Sequence, residues 1–181
     1  MGKVFSFAWE VLKIVVLALV IVLPIRYFVF QPFIVKGASM EPNYHEGDYL
    51  IVDELSYRFR NPQRGEVIVF HYPLDPSDRF IKRIIGLPTE TVQIQDNQIM
   101  ITNKFGQQQI IKEQNYLPDL VLFGNVKQTL AADEYFVLGD NRLNSSDSRK
   151  WGAVKRSEIV GRALIRAWPP TRLSYFLAPT Y

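Results

Sequence analysis

The sequence has no cysteine and only two histidines, His45 and His71, in 181 residues. Without cysteine the chain can form no disulfide, no thiolate nucleophile and no cysteine-based zinc site. Two histidines leave few candidates for a histidine triad or metal site, and we interpret both as surface or turn residues. The net charge of +3 is small, whereas nucleic-acid-binding proteins usually carry a dense basic surface. We therefore expect no metal, no other cofactor and no nucleic-acid partner.

Charge is also missing from one N-terminal stretch, Ile14–Ile25, which holds twelve apolar residues in succession. Trp9 and Tyr27 lie about 27 Å apart at the helical rise, close to the ~30 Å thickness of a bilayer core. We interpret residues 1–31 as a short cytoplasmic stub followed by a single transmembrane anchor. A cleaved signal peptide would need a small-residue exit, which is absent here. A helix buried in a protein core stays open as an alternative.

The rest of the chain consists of short strand-like runs separated by turn residues, which favours a mainly β fold over a βαβ fold. The runs are Phe33–Lys36, Tyr49–Val52, Val67–His71, Phe80–Ile85, Val92–Ile94, Ile99–Ile101, Tyr135–Leu138 and Ile159–Ala167. Residues 32–181 are thus predicted to form one irregular all-β domain. Eight glutamines between Gln93 and Gln128 indicate a small inserted β lobe at about 93–131, although a long connection would show the same composition.

A serine and a lysine are candidates for catalysis. Ser39 lies in the tight turn Gly37–Pro42, and a serine hydroxyl becomes a nucleophile only when a base takes its proton. Lys82 shares one strand face with the apolar residues Phe80 and Ile84. Burial disfavours the ammonium form, so such a lysine can have a lowered pKa and act as a base without histidine. Taken singly, a turn serine and an edge-strand lysine also have ordinary structural explanations.

A polar loop, Gly139–Arg149, follows the run that ends at Leu138. It contains two aspartates, two asparagines, three serines and two arginines. Such a loop is either solvated or a network that braces a site, and its aspartates and arginines can form bidentate pairs. A hydroxyl from this loop would be able to orient a lysine amine.

Behind the apolar segment, these motifs in this order resemble the bacterial type I signal peptidases (leader peptidases), a family of serine–lysine dyad proteases. The matching segments are QPFIVKGASMEPN (31–43), GDYLIV (47–52), RGEVIVF (64–70), FIKRIIGLP (80–88) and GDNRLNSSDSRKWGAV (139–154). The resemblance implies that Ser39 is the nucleophile and Lys82 the general base. It also implies that Ser145 orients the lysine amine and that Asp147 and Arg149 form a charged pair holding the last motif.

The resemblance further implies an extended peptide substrate, bound between strands and cleaved after small residues in an A-x-A pattern. Asp140 and Arg142 are expected to support the polar loop. The main-chain N–H of Ser39 would be one oxyanion donor, but Gly37 stands where some members carry a second, hydroxyl donor. The turn 88–90 also departs from the family, with Pro-Thr-Glu in place of Pro-Gly-Asp. The residues expected to contact substrate are Phe33, Val35, Gly37, Met40, Tyr44, Leu50, Phe80 and Ile81.

The family implies a single-pass protein of the plasma membrane with its catalytic domain on the extracytoplasmic side, an orientation that the flanking charges alone do not decide. Its partners would be preprotein signal peptides and the lipid bilayer, near the protein-export translocon. Two other functions stay open: a specialised maturation peptidase of the conjugation type, and a catalytically silent, membrane-anchored binding module. A self-cleaving repressor is disfavoured, because an apolar segment stands where its DNA-binding helices would lie.

Overall fold

The computed structural model describes residues 2–28, 30–117 and 124–179. Within them, helix α1 (Gly2–Phe28) precedes a β-rich region that contains two one-turn helices, α2 (Ser56–Phe59) and α3 (Ser148–Trp151). The strands are β1 (Phe30–Ile34), β2 (Tyr49–Asp53), β3 (Val67–Tyr72), β4 (Asp75–Gly86), β5 (Thr91–Gln95), β6 (Gln98–Thr102), β7 (Gln108–Ile111), β8 (Val126–Thr129), β9 (Glu134–Leu138), β10 (Val154–Lys155), β11 (Ile159–Trp168) and β12 (Ser174–Tyr175). The predicted mainly β class is confirmed.

Helix α1 includes the apolar run Ile14–Ile25 and contacts β1. Side chains along it, such as Leu17 and Val20, are exposed. Among the described residues, no helix has both the length and the apolar character needed to cross a membrane. The N-terminal anchor therefore stays a prediction.

The larger sheet follows the order β1-β2-β11-β3-β4-β9-β10, with β12 paired to β11. Alternate side chains of β3 enter two hydrophobic clusters on opposite faces: Val67 and Val69 pack in one, Ile68 and Phe70 in the other. Because both faces of this strand are covered, its sequence is apolar without alternation. This burial fixes β3, and through it the neighbouring β4, firmly in the framework.

The smaller sheet has the order β7-β6-β5-β8 and lies between Thr91 and Thr129. A two-residue turn joins β5 to β6, and Asp96 and Asn97 both have positive φ there, at 50° and 61°. This matches the twist that short hairpins require. Apolar residues of this sheet pack on β4 and β9 of the larger one. The smaller sheet contributes Val92, Ile94, Ile99, Ile101 and Ile111, and the larger sheet contributes Ile85, Phe136 and Leu138. Its division from the rest as a separate lobe stays a prediction.

Two predicted strands differ from the observed ones by more than one residue at an end. The run Phe33–Lys36 was expected to be extended, whereas β1 starts at Phe30 and contains Pro32. Proline lacks the N–H that a central strand needs, but β1 is the end strand of its sheet order, where proline is tolerated. Strand β4 begins at Asp75, well before Phe80, because its polar, exposed first half pairs with the end of β3.

Candidate active site

Ser39 and Lys82 lie side by side. Ser39 is in the turn that follows β1, and Lys82 projects from the middle of β4. The Nζ atom of Lys82 is 2.7 Å from Oγ of Ser39, and it donates a second hydrogen bond to the carbonyl of Ile81 at 2.9 Å. Nζ also lies 5.4 Å from the ring centroid of Phe80. A hydroxyl and an amine at this distance can exchange a proton directly.

The amine of Lys82 is buried, with 4% of the residue exposed. Burial lowers the pKa of Lys82 to about 8, while the negative charges of Asp147 and Asp140 act in the opposite direction. Because desolvation prevails, a useful fraction of the amine is neutral near physiological pH. A neutral amine has the lone pair that a general base needs.

The polar loop 139–149 is bonded directly to the serine turn. Asn141 donates from its main-chain N–H to the carbonyl of Ser39 at 3.0 Å and from Nδ2 to the carbonyl of Ala38 at 3.1 Å. A Cβ on Gly139 would lie 2.2 Å from Oγ of Ser145 and 2.5 Å from the carbonyl oxygen of Ser39. Only glycine therefore permits the loop to approach the serine turn this closely.

Ser145 is brought to the same place but not into a hydrogen bond with Lys82. Its Oγ is buried and has no hydrogen-bond partner in the part of the chain that the structure describes. The sequence-based role of Ser145 in orienting the lysine amine therefore stays a prediction. The same hydroxyl lies close enough to the Asp147 carboxylate to help lower the pKa of that group.

Asp147 and Arg149 form a two-pronged ion pair. Nε and Nη2 of Arg149 each donate to the Asp147 carboxylate at 2.8 Å, and the main-chain N–H of Gly139 donates to it at 3.1 Å. Burial would raise the pKa of Asp147, but the hydrogen bonds and charge of Arg149 hold it below its usual value. The carboxylate is thus an ionised brace for the loop.

Asp140 and Arg142, both expected in the supporting network, do not pair with each other. Asp140 accepts from Nε and Nη2 of Arg83 at 2.8 and 2.6 Å, and from Asn43 at 2.9 Å. Arg142 instead forms a two-pronged pair with Glu113, with Nη2 donating to Oε1 at 2.8 Å. All four charged side chains are buried, so each charge needs its partner.

Two residues of this network, Arg83 and Glu113, were not predicted from the sequence. Arg83 follows Lys82 on β4 and so points to the opposite face of the strand. A charged residue within an apolar strand run needs a buried partner, and this signal could have identified Arg83. Nothing local marks Glu113, whose partner lies 29 residues away.

An open groove of about 540 Å³ runs past Ser39 and Lys82. Of the residues expected to contact substrate, Phe33, Phe80 and Ile81 line this groove. Further lining residues were not predicted: Ile34, Lys36, Ser77, Asp78, Arg79 and Ser146. The groove thus has apolar walls next to the reactive pair and polar groups around them.

The other residues expected to contact substrate do not line the groove. Four of them are fully buried in the core cluster that also contains Ile81: Val35, Met40, Tyr44 and Leu50. Their apolar character reflects packing under the groove wall, which the motif alone does not distinguish from a pocket lining. Gly37 is exposed, with φ of +75°, and a Cβ there would meet no atom within 4 Å.

The described residues contain no group of three or more aspartate, glutamate or histidine side chains that could hold a metal ion.

The chain is similar in sequence to known proteins over most of its length. The sequence model of the family described as signal peptidase, peptidase S26, matches residues 8–168. A probable signal peptidase I-2 of Synechocystis sp. is 40% identical over 172 residues, which cover 91% of this chain and 75% of that protein. A signal peptidase I of Leptolyngbya laminosa is 42% identical over 171 residues, covering 91% and 81%.

Among solved structures, the crystal structure of a signal peptidase I from Enterococcus faecalis V583 aligns with 57% of this chain and 97% of that one. The two are 31% identical in sequence, and the TM-score is 0.47. From the family model and the sequence relatives, the protein is a serine peptidase, and thus a hydrolase. More particularly, the chain belongs to the signal peptidase family, peptidase S26.

Proposed function

We propose that this protein removes N-terminal signal peptides from exported preproteins by hydrolysis after small residues, with Ser39 as nucleophile and Lys82 as general base. The observation that carries the proposal is the 2.7 Å contact between Lys82 Nζ and Ser39 Oγ at the wall of an open groove. The relatives named signal peptidase I support the substrate class.

The reaction follows from the two groups. Neutral Lys82 accepts the hydroxyl proton as Oγ of Ser39 attacks the scissile carbonyl carbon, and the main-chain N–H of Ser39 stabilises the oxyanion. The resulting ammonium then protonates the leaving amine. Water next attacks the acyl ester with Lys82 again as base, which releases the signal peptide and regenerates Ser39.

An extended substrate fits between two strands that border the groove. Strand β1 pairs with β2, and no described strand occupies its other edge. On β4, the β9 ladder begins only at Arg83, so residues 79–82 have β3 on one side and no described strand on the other. A peptide added here would gain main-chain hydrogen bonds. Phe33, Phe80 and Ile81 would limit pocket depth and so exclude large side chains next to the scissile bond.

Helix α1 would anchor the protein in the plasma membrane, with the catalytic domain on the extracytoplasmic side close to the export translocon. Support comes from the uninterrupted apolar run Ile14–Ile25 and from exposed apolar side chains on α1. At about 1.5 Å per residue, 27 helical residues reach roughly 40 Å. Retention in the membrane fraction after alkaline extraction tests this, and full release by that treatment would contradict it.

The function is tested with a precursor carrying an A-x-A site and a second precursor in which the last alanine is replaced by phenylalanine. Wild type should cut the first once, after the motif, and leave the second intact, as read by mass spectrometry. Ser39→Ala and Lys82→Ala should cut neither, while Ser157→Ala, at an exposed serine, should behave as wild type. Cutting by Ser39→Ala would place the nucleophile elsewhere. No cutting by wild type on several precursors would favour the maturation peptidase or the binding module.

A further inference from the structure

A turn in the glutamine-rich region contacts the segments that carry the residues of the active site. Residues 113–117 follow β7 and form a tight turn, in which the main-chain N–H of Leu117 donates to the carbonyl of Glu113 at 2.8 Å. The Glu113 side chain is completely buried, and the hydroxyl of Tyr116 donates to its carboxylate. The turn contributes no lining residue to the groove, so any effect on chemistry must pass through other residues.

This one turn contacts three separate segments. Asn43 donates from Nδ2 to the carbonyl of Tyr116 at 3.3 Å. The guanidinium of Arg83 lies 4.4 Å from the centroid of the Tyr116 ring. Arg142 donates twice to the carboxylate of Glu113.

Each contacted segment carries one member of the proposed site. Asn43 directly follows the turn that contains Ser39. Arg83 lies on the strand that contains Lys82, and Arg142 lies in the loop that contains Ser145. The catalytic geometry depends on the relative position of these segments, which no single strand pairing sets. A turn that contacts all three is therefore placed to hold them together.

The contact with Arg142 leads directly to the serine turn. Nε of Arg142 donates to the carbonyl of Gly139 at 2.8 Å, and its own carbonyl accepts from Arg149 at 2.8 Å. Gly139 packs against the carbonyl oxygen of Ser39. If Glu113 lost its charge, the guanidinium of Arg142 would be buried without a counter-ion and would be driven to shift towards water. That shift would release Gly139 from its place beside Ser39.

We propose that Glu113 is a positioning residue for the peptidase reaction: through Arg142 and Gly139 it holds the loop 139–149 against Ser39, with Tyr116 orienting its carboxylate. The inference rests on the proposed function, since it assigns the residue to the chemistry of Ser39 and Lys82. It also gives the glutamine-rich region a direct connection to catalysis.

The test uses Glu113→Gln, which keeps the shape of the side chain and removes its charge. We expect kcat on an A-x-A peptide to fall about 30- to 100-fold, because ångström-scale misplacement of reacting groups is that damaging. KM should stay within about threefold, because no groove residue is changed. The milder Tyr116→Phe, which keeps the ring beside Arg83, should lower kcat about 3- to 10-fold, a fraction of that misplacement effect.

Labelling of Ser39 by a serine-directed acylating reagent separates positioning from misfolding. In Glu113→Gln the labelling rate should fall in parallel with kcat, while the final extent matches wild type. The control is Glu90→Gln, which removes the carboxylate of another ion pair, to Arg64 at 2.6 Å, close to β5. Its kcat should stay within about twofold of wild type, because the partners of Glu90, Arg64 and Leu87, do not line the groove.

Two results would overturn the inference: a kcat within about twofold of wild type for both turn variants, or a reduced final extent of labelling with a normal rate in the labelled fraction. The second result would mean that Glu113 serves folding only. If wild type itself cut no A-x-A precursor, the proposed function would fail, and the labelling rates at Ser39 would still decide the role of Glu113.

Discussion

The rate of peptide cleavage should rise tenfold per pH unit below about pH 8 and level off above it, because Lys82 must be neutral to accept the proton of Ser39. Burial lowers the pKa of Lys82 to about 8, against the opposing charges of Asp147 and Asp140. At pH 7 a lysine with this pKa is neutral in about one molecule in eleven, compared with roughly one in three thousand at the ordinary value. The buried site thus raises the supply of base roughly 300-fold, or about 3 kcal/mol.

The assay measures kcat/KM for an A-x-A peptide between about pH 5.5 and pH 10.5, a range that includes both the shifted and the ordinary lysine pKa. Lys82→Arg, which stays charged throughout, should be inactive at every pH. A midpoint near pH 10 would mean that the amine is solvated like any surface lysine. A midpoint at about pH 6.5 would assign the base to a histidine and refute the role of Lys82.

Three further predictions concern the stability and packing of the active site. The unfolded chain keeps the Lys82 proton up to the ordinary lysine pKa, so the free energy of unfolding should rise as pH increases from about 8 to about 10.5. Lys82→Met removes the buried charge and should raise the free energy of unfolding, measured in urea at pH 7, by about 2–3 kcal/mol. A lower free energy of unfolding for this variant would contradict the expectation. Gly139→Ala should lower kcat about a hundredfold, because its Cβ would lie 2.5 Å from the carbonyl oxygen of Ser39, whereas Gly106→Ala, with no atom within 4 Å, should keep wild-type kcat. Equal effects of the two alanines would argue against the close approach of the loop. Asp140→Asn should lower the free energy of unfolding by about 3–5 kcal/mol, because it leaves the buried guanidinium of Arg83 without its counter-ion. A loss below about 1 kcal/mol would contradict this, because only a solvent-exposed ion pair contributes so little.

The runs of apolar residues and the turn-forming residues between them predicted most strands of the larger sheet. In the larger sheet the run Val67–His71 corresponds to β3, and in the smaller sheet the runs Val92–Ile94 and Ile99–Ile101 correspond to the hairpin β5–β6. These features are local, because burial of a strand and the φ requirement of a tight turn are both written in a few adjacent residues. Strands β7 and β8 were missed, since their short sequences, QQII and VKQT, show no alternation of apolar and polar residues.

The ion pairs could not be predicted in the same way. Asp140 and Arg142 are near neighbours in sequence, and the motif suggested that both support one loop. In the structure each pairs with a residue from another segment: Asp140 pairs with Arg83, and Arg142 pairs with Glu113. Such pairings depend on how distant segments meet, which neither periodicity nor spacing encodes. For the same reason, core and groove residues of one motif, such as Met40 and Phe33, looked alike in sequence.

The most direct test of the serine–lysine pair is peptide mapping of the protein after treatment with a serine-directed acylating reagent. The proposed mechanism predicts a single adduct, on Ser39. Its rate of formation should increase with pH, with the midpoint of the increase at about pH 8, and no adduct should form in Lys82→Ala. An adduct on another groove serine, such as Ser77 or Ser146, would contradict the assignment of the nucleophile. Undiminished labelling of Ser39 in Lys82→Ala would contradict the assignment of the base.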